Sequence, residues 1–120
     1  VSKPRKPVDP LSLISEKDWT KTVIDLAHAY KWRVAHFRAA MTKHGWRTPV
    51  QADGAGFPDL VLVRGDRVIF AELKTEKGRL TRQQYDWRIA LCSVAHGREA
   101  NVQVHVWRPS DFDEVQGILK

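Results

Sequence analysis

Two kinds of apolar pattern divide the chain. Trp19, Val23, Leu26, Ala27 and Tyr30 recur every three or four positions, the spacing of one buried helix face. Ser15 stands ahead of them, and Ser15-x-x-Asp18 resembles a capping box with Asp in place of Glu or Gln. Residues 32–37 alternate and predict a first strand. Residues 39–57 hold Pro49, Gly54 and Gly56, show little periodicity, and predict a long loop of the kind usually tied to function or motion. Residues 60–63 and 68–73 are continuous apolar, β-branched runs suited to central strands. Thr81 and Gln84 make a capping box for a second helix, whose expected buried stripe is Trp87, Ala90, Leu91 and Val94. A strand at 102–107 and a short helix at 111–119 complete the order α-β-β-β-α-β-α, an α/β arrangement. Ahead of it, residues 1–14 begin with Lys3, Arg5, Lys6 and prolines and offer little to bury. They are expected to be a flexible basic arm, with 15–120 as a single domain.

The polar residues that interrupt the two central runs carry the chemistry. Gly65-Asp66 between Arg64 and Arg67 suits a two-residue hairpin turn of the II′ kind, with glycine supplying positive φ. That turn sets the register: Val63 opposite Val68, Leu62 opposite Ile69, Leu60 opposite Ala71, and so Asp59 opposite Glu72. Directly opposed residues have Cβ atoms about 4.5–5.5 Å apart on one face, so two carboxylates there repel each other. A divalent cation between them reverses the sign, and carboxylate oxygens are what Mg²⁺ prefers. Period-two geometry adds Lys74 to the same face, where an ammonium could polarise a water or stabilise charge developing on a phosphate. The plainer reading is of exposed strand ends and a surface ion pair. It explains each residue alone better than all three together.

Charge adds a partner to this picture. The 120 residues carry a formal net charge of +6 and 42% hydrophobic content, the make-up of an ordinary globular domain with a polyanion as its favoured partner. No acid occurs between positions 26 and 52, where Lys31, Arg33, Arg38, Lys43 and Arg47 stand among His28, His36, His44, Trp32 and Trp46. Basic groups interleaved with aromatic rings can neutralise phosphates and stack on bases; the alternative is a solvated basic face over core tryptophans. Lys77, Arg79 and Arg82 form a second basic group ahead of the second helix. No apolar run is of membrane-spanning length, so no membrane partner is expected. With no signal-peptide pattern and one cysteine, Cys92, a reducing cytoplasm is the expected setting, in a bacterium or from a phage in its host.

Pro58-Asp59 followed by Glu72-x-Lys74 resembles the PD-(D/E)xK nuclease superfamily. That motif is short. Gly56-x-Pro58-Asp59-Leu60, Glu72-Leu73-Lys74, Leu80-Thr81-x-x-Gln84 and Trp87 together look like its virus-type replication-repair nuclease (VRR-NUC) branch, over most of residues 15–107. The resemblance implies a restriction-endonuclease-like core, a mixed central sheet flanked by helices. It implies that Asp59 and Glu72 bind a metal, Mg²⁺ or Mn²⁺, with the Leu73 carbonyl as a further ligand, and that Lys74 helps activate the attacking water. Glu16 matches a family acid that reaches the metal site, often through water; its rival role is an acid favoured at a helix N-terminus. Gln84 matches a glutamine near the site or the scissile phosphate; its rival role is the cap with Thr81. Asp53 could assist or simply be solvated.

Small standalone members of this branch resemble junction-cleaving or structure-selective nucleases. The expected activity is therefore metal-dependent endonucleolytic cleavage of DNA at Holliday or other branched junctions, in repair or recombination. Arg38, Lys43, Arg47, Lys77, Arg79 and Arg82 are the expected DNA contacts. Two symmetric cuts across a four-way junction would suit a homodimer. Alternatives are a nickase or flap nuclease with the same site, and a catalytically silent nucleic-acid-binding module.

Overall fold

The first helix begins and ends where local chemistry demands. The computed structural model describes residues 7–37, 40–43, 45–47, 51–95 and 101–120, with backbone alone at 40–42, 46 and 47. Ser15 Oγ accepts the Asp18 N–H at 3.0 Å and opens α1 (Glu16–Ala29). The helix closes with Lys31 N–H on the His28 carbonyl and Trp32 N–H on the Ala27 carbonyl, both at 3.0 Å. Lys31 takes the left-handed φ of 70° that this closure requires. Within the stretch expected as an arm, Pro10–Leu13 forms a 3₁₀ turn capped by Asp9, and Ile14 packs against the core.

After α1 come β1 (Arg33–His36), β2 (Ala40–Thr42), β3 (Gly45–Arg47), β4 (Leu60–Arg64) and β5 (Arg67–Leu73). The chain ends with α2 (Arg82–Ala95), β6 (Val102–Trp107) and α3 (Phe112–Leu119). Four strands make one sheet in the order β1-β4-β5-β6, with β5 and β6 parallel and the other neighbours antiparallel. This is the mixed sheet flanked by helices of a restriction-endonuclease-like α/β fold.

The β4–β5 register is the one the turn predicts: Arg64 with Arg67, Val63 with Val68, Leu62 with Ile69 and Leu60 with Ala71. Gly65 has φ of 60° and Asp66 is not in the positive-φ region, as a II′ turn requires. The core lies against one face of this sheet. Leu60, Leu62, Ile69, Ala71 and Leu73 are fully buried there, together with Val23 and Ala27 of α1 and Val115 and Leu119 of α3.

The opposed Arg64 and Arg67 are reconciled by Trp32 and the end of α3. Both guanidinium groups sit over the Trp32 ring, 4.6 and 4.9 Å from its centroid. Arg64 donates to the Leu119 carbonyl at 2.9 Å, Arg67 to that of Ile118 at 3.2 Å, and Trp32 Nε1 to Leu119 at 2.9 Å. These donors satisfy carbonyls that a helix C-terminus leaves open, where positive charge is also favoured.

Three sequence expectations need correction. The stretch 39–57 is not all loop: β2 and β3 pair as a small separate ribbon, Met41 opposite Trp46, with Gly45 at φ of 95°. Strands of three residues are too short for a period of two to register. Trp32 is only 3% exposed and belongs to the core, so it cannot stack on a base. On α2 no residue is buried: Trp87 and Leu91 are half-covered, Ala90 is exposed and Val94 is 60% exposed. Helical spacing identifies an apolar face but not what covers it.

Candidate active site

Continuing the β4–β5 register by one pair brings Asp59 opposite Glu72, on the face that looks towards α2. Asp59 stands just before β4; its carbonyl accepts the Phe37 N–H at 2.9 Å, and its Oδ2 accepts the Leu73 N–H at 2.9 Å. Both ends of the residue are thereby tied to the sheet. Glu72 is only 6% exposed, the one charged residue in the buried set among the described residues. Burial chiefly, then the charge of Asp59 and a hydrogen bond with it, push the Glu72 carboxyl up to about 8; Glu16 adds to the rise and Lys74 opposes it. Glu72 therefore favours its protonated form beside Asp59, and a cation bound there would displace that proton.

Gln84 makes the cap and reaches Glu72 as well. Its Oε1 accepts the Thr81 N–H at 2.9 Å while its backbone N–H donates to Thr81 Oγ1 at 3.2 Å, the reciprocal bonds of a capping box. Its Nε2 then donates to Glu72 Oε1 at 3.0 Å. One amide thus fixes the start of α2 with its oxygen and orients Glu72 with its nitrogen.

Lys74 is half-buried just past β5, and its N–H bonds to the Trp107 carbonyl at 3.0 Å. The same carbonyl accepts Trp19 Nε1 at 3.0 Å, which ties the first turns of α1 to the site. Glu16 is exposed at the start of that helix, near enough to Glu72 for its charge to act. The Leu73 side chain is fully buried in the core, so only its backbone can serve the site. Asp53 is exposed, and its carbonyl accepts Trp87 Nε1 at 2.9 Å.

Of the basic residues, Lys43 is exposed in the turn of the β2–β3 ribbon, and Lys77 and Arg79 are exposed in the loop before α2. Arg82 is also exposed and pairs with Asp86 at 3.1 Å. Arg38 and the Arg47 side chain lie outside the described residues.

Sequence reasoning missed three neighbours of the site. Arg108 donates to the carbonyls of Thr75 and Gly78, at 2.8 and 2.6 Å, and braces the loop that leaves Lys74. No local pattern signals that bond, which spans about thirty positions. Arg88 and His105 line a cavity of about 10 Å³ with Glu72 and Gln84. Arg88 lies four residues after Gln84 on the same face of α2, a spacing that could have drawn notice. Burial first, and then the Arg88 charge, lower the pKa of His105 against the opposing pull of Glu114.

No three His, Cys, Asp or Glu side chains among the described residues gather into a cage for a metal. A paired Asp and Glu still fit a Mg²⁺-like ion, which takes one or two carboxylates and keeps several waters for substrate oxygens to replace.

The family model of the VRR-NUC domain matches residues 11–108. The chain belongs to the VRR-NUC family. It is therefore a nuclease of the PD-(D/E)xK type, with DNA implied as its substrate, and PD-(D/E)xK nucleases generally use divalent metals. No curated protein matches the VRR-NUC chain.

Proposed function

We propose that this VRR-NUC protein is a Mg²⁺- or Mn²⁺-dependent endonuclease that hydrolyses phosphodiester bonds in branched DNA, Holliday junctions among them. The observation that carries the reading is the Asp59–Glu72 pair. Two carboxyl groups are opposed on a rigid hairpin, one of them buried, where without a cation either one keeps its proton or the two repel.

In this reading Asp59, Glu72 and the Leu73 carbonyl would hold the ion, with Glu16 acting on it through water. The ion would supply Lewis-acid polarisation of the phosphate and of the attacking water. Lys74 would help remove that water's proton or balance the charge gathering on the phosphate. Gln84 keeps Glu72 aimed at the ion and can meet the scissile phosphate from the start of α2. Lys43, Lys77, Arg79 and Arg82, with Arg38 and Arg47, neutralise phosphates along the DNA path.

Backbone contacts of this type position DNA without reading its sequence, which favours recognition by shape. A homodimer gives a four-way junction its two symmetric cuts. The lone half-buried Cys92 suits a cytoplasmic setting, bacterial or phage-encoded, and no helix among the described residues is long and apolar enough to cross a membrane.

The test is cleavage of labelled four-way junction, flap, nicked, duplex and single-stranded DNA, with Mg²⁺, with Mn²⁺ and with a chelator. Symmetric, metal-dependent cuts near the branch are the expected result. Preferred cutting of flaps or of one duplex strand would replace the junction reading with a flap nuclease or a nickase. Binding without cleavage under any metal would leave only a nucleic-acid-binding module.

A further inference from the structure

A second concavity lies between α2 and the loop at 51–55. It is an open cavity of about 450 Å³, within the size range of small-molecule sites. Ala52 and Ala90 leave the space, Trp87 provides an aromatic surface, and Asp53, Asp86 and Gln83 supply polar atoms.

Its position relative to the carboxylates is held by backbone contacts. Trp87 Nε1 donates to the Asp53 carbonyl at 2.9 Å, fastening the loop to α2. Gly56 packs so closely on α2 that a Cβ there would lie 2.5 Å from the Gln83 carbonyl carbon, and its φ is 84°. Gln83 immediately precedes Gln84, whose amide touches Glu72. Ala52, in the cavity wall, holds a left-handed φ of 54°, a conformation that costs a non-glycine residue energy and is concentrated at ligand clamps and similar sites.

The chemistry of the wall selects its occupant. Asp53 and Asp86 disfavour phosphate, Asp86 the less so because Arg82 pairs with it at 3.1 Å, so the backbone of a DNA strand does not enter. Carboxylates only accept hydrogen bonds, so a group that enters must donate them. An unpaired base combines a flat apolar face with such donors. Cytosine N4, adenine N6 and guanine N2 each offer two N–H bonds, one for each carboxylate, whereas thymine offers only its single N3–H. Arg82, paired with Asp86 and largely exposed, stands where it can meet the phosphate of the same nucleotide.

We propose that this cavity is a nucleobase subsite. It receives one unstacked, amine-bearing base from the strand lying across the carboxylate pair, so that an unpaired base at a branch becomes part of what the enzyme recognises. The proposal rests on the nuclease reading for its substrate but uses none of the residues assigned to the metal.

The experiment walks a single abasic site, one nucleotide at a time, along each strand of a junction near the branch. Affinity is measured in metal-free buffer and cleavage separately with Mg²⁺. One position is expected at which loss of the base weakens binding about tenfold, the scale of one base–aromatic contact. Thymine at that position should bind more weakly than cytosine or adenine, which should behave like the parent. Ala90→Trp fills the cavity from an exposed helical position and should flatten the profile at an unchanged melting temperature. Asp86→Asn, which can donate as well as accept, should remove the preference for cytosine over thymine.

A flat affinity profile in the parent protein, or one that Ala90→Trp leaves intact, overturns the subsite. Equal affinity for thymine and cytosine overturns its recognition of the amine. Absence of cleavage alongside the expected affinity profile would instead remove the nuclease reading and leave the subsite standing.

Discussion

The two faces of the central sheet are built to different standards. On the face shared by α1 and α3, Leu60, Leu62, Ile69, Ala71 and Leu73 have no exposed surface, and Trp19 and Trp107 complete the cover. On the other face Val63 is 42% exposed, Phe70 is half-buried, and α2 buries none of its residues. What holds α2 there is a chain of edge-to-face rings, Phe57 against Phe37, Phe70 and Trp87 at 5.1–6.1 Å, together with Gln84 and the Trp87–Asp53 bond. The apolar packing and the candidate site thus lie on opposite faces of the same strands. A closed apolar face can carry the fold while the open face accommodates carboxylates that repel each other.

The strongest way to break that division is to neutralise the open face. Asp59→Ala or Glu72→Gln should lower turnover by at least about 10²–10³-fold, the scale of losing one electrostatic element of an active site. The melting temperature of Glu72→Gln in chelator should stay level or rise, since no charge is then buried beside Asp59, whereas Asp59→Ala also gives up its bond to the Leu73 N–H and should melt lower. Single-turnover cleavage and thermal melting of the same samples check both halves, and undiminished cleavage by Asp59→Ala would end the metal-site assignment. On the closed face Leu62→Ala should cost about 2–5 kcal/mol of stability while the folded fraction keeps its cleavage rate. Denaturant titration and active-site counting measure that. A selective loss of turnover there would mean that the two faces are coupled.

Lys74→Ala sharpens the distinction within the open face. A role in water activation or charge stabilisation predicts a drop of about a hundredfold in the single-turnover rate at saturating DNA. A phosphate contact predicts weaker binding and a salt slope reduced by about one, with the rate unchanged.

The pH dependence of stability follows from Glu72. Its folded pKa of about 8 lies above the ordinary carboxylate value of 4.5, so the native state holds a proton that the unfolded chain has released. The contribution of this group to stability in chelator is complete below about 4.5, falls as pH rises towards 8, and is gone above that. Chemical denaturation of the parent and of Glu72→Gln across that window should show a slope in the first that the second lacks. Added divalent ion should flatten the slope in the parent by favouring the ionised pair. Equal slopes in both proteins would mean that Glu72 is not the titrating group.

The smallest effects concern the DNA path. Neutralising Lys77, Arg79 and Arg82 together, or Arg38, Lys43 and Arg47 together, should each reduce the slope of log affinity against log salt by roughly two to three units if all three residues touch phosphate. The triple that leaves the slope unaltered lies off the path.

Local chemistry made a good part of this protein legible before any coordinates. The turn at Gly65-Asp66 counts out the hairpin residue by residue, and that register alone brings Asp59 to Glu72. Ser15 and Thr81 mark their helices because a cap is satisfied within four residues of itself. Coverage was not legible, because it depends on what approaches from a distance. Trp32 reads as a base-stacking ring until Arg64, Arg67 and the end of α3 close over it. The stripe on α2 reads as buried until the sheet leaves it open, and nothing near Arg108 in the chain points to Thr75 or Gly78. Gln84 joins the two kinds of information. Its cap is written in the spacing from Thr81, but its bond to Glu72 exists only because the folded sheet brings β5 beneath the first turn of α2.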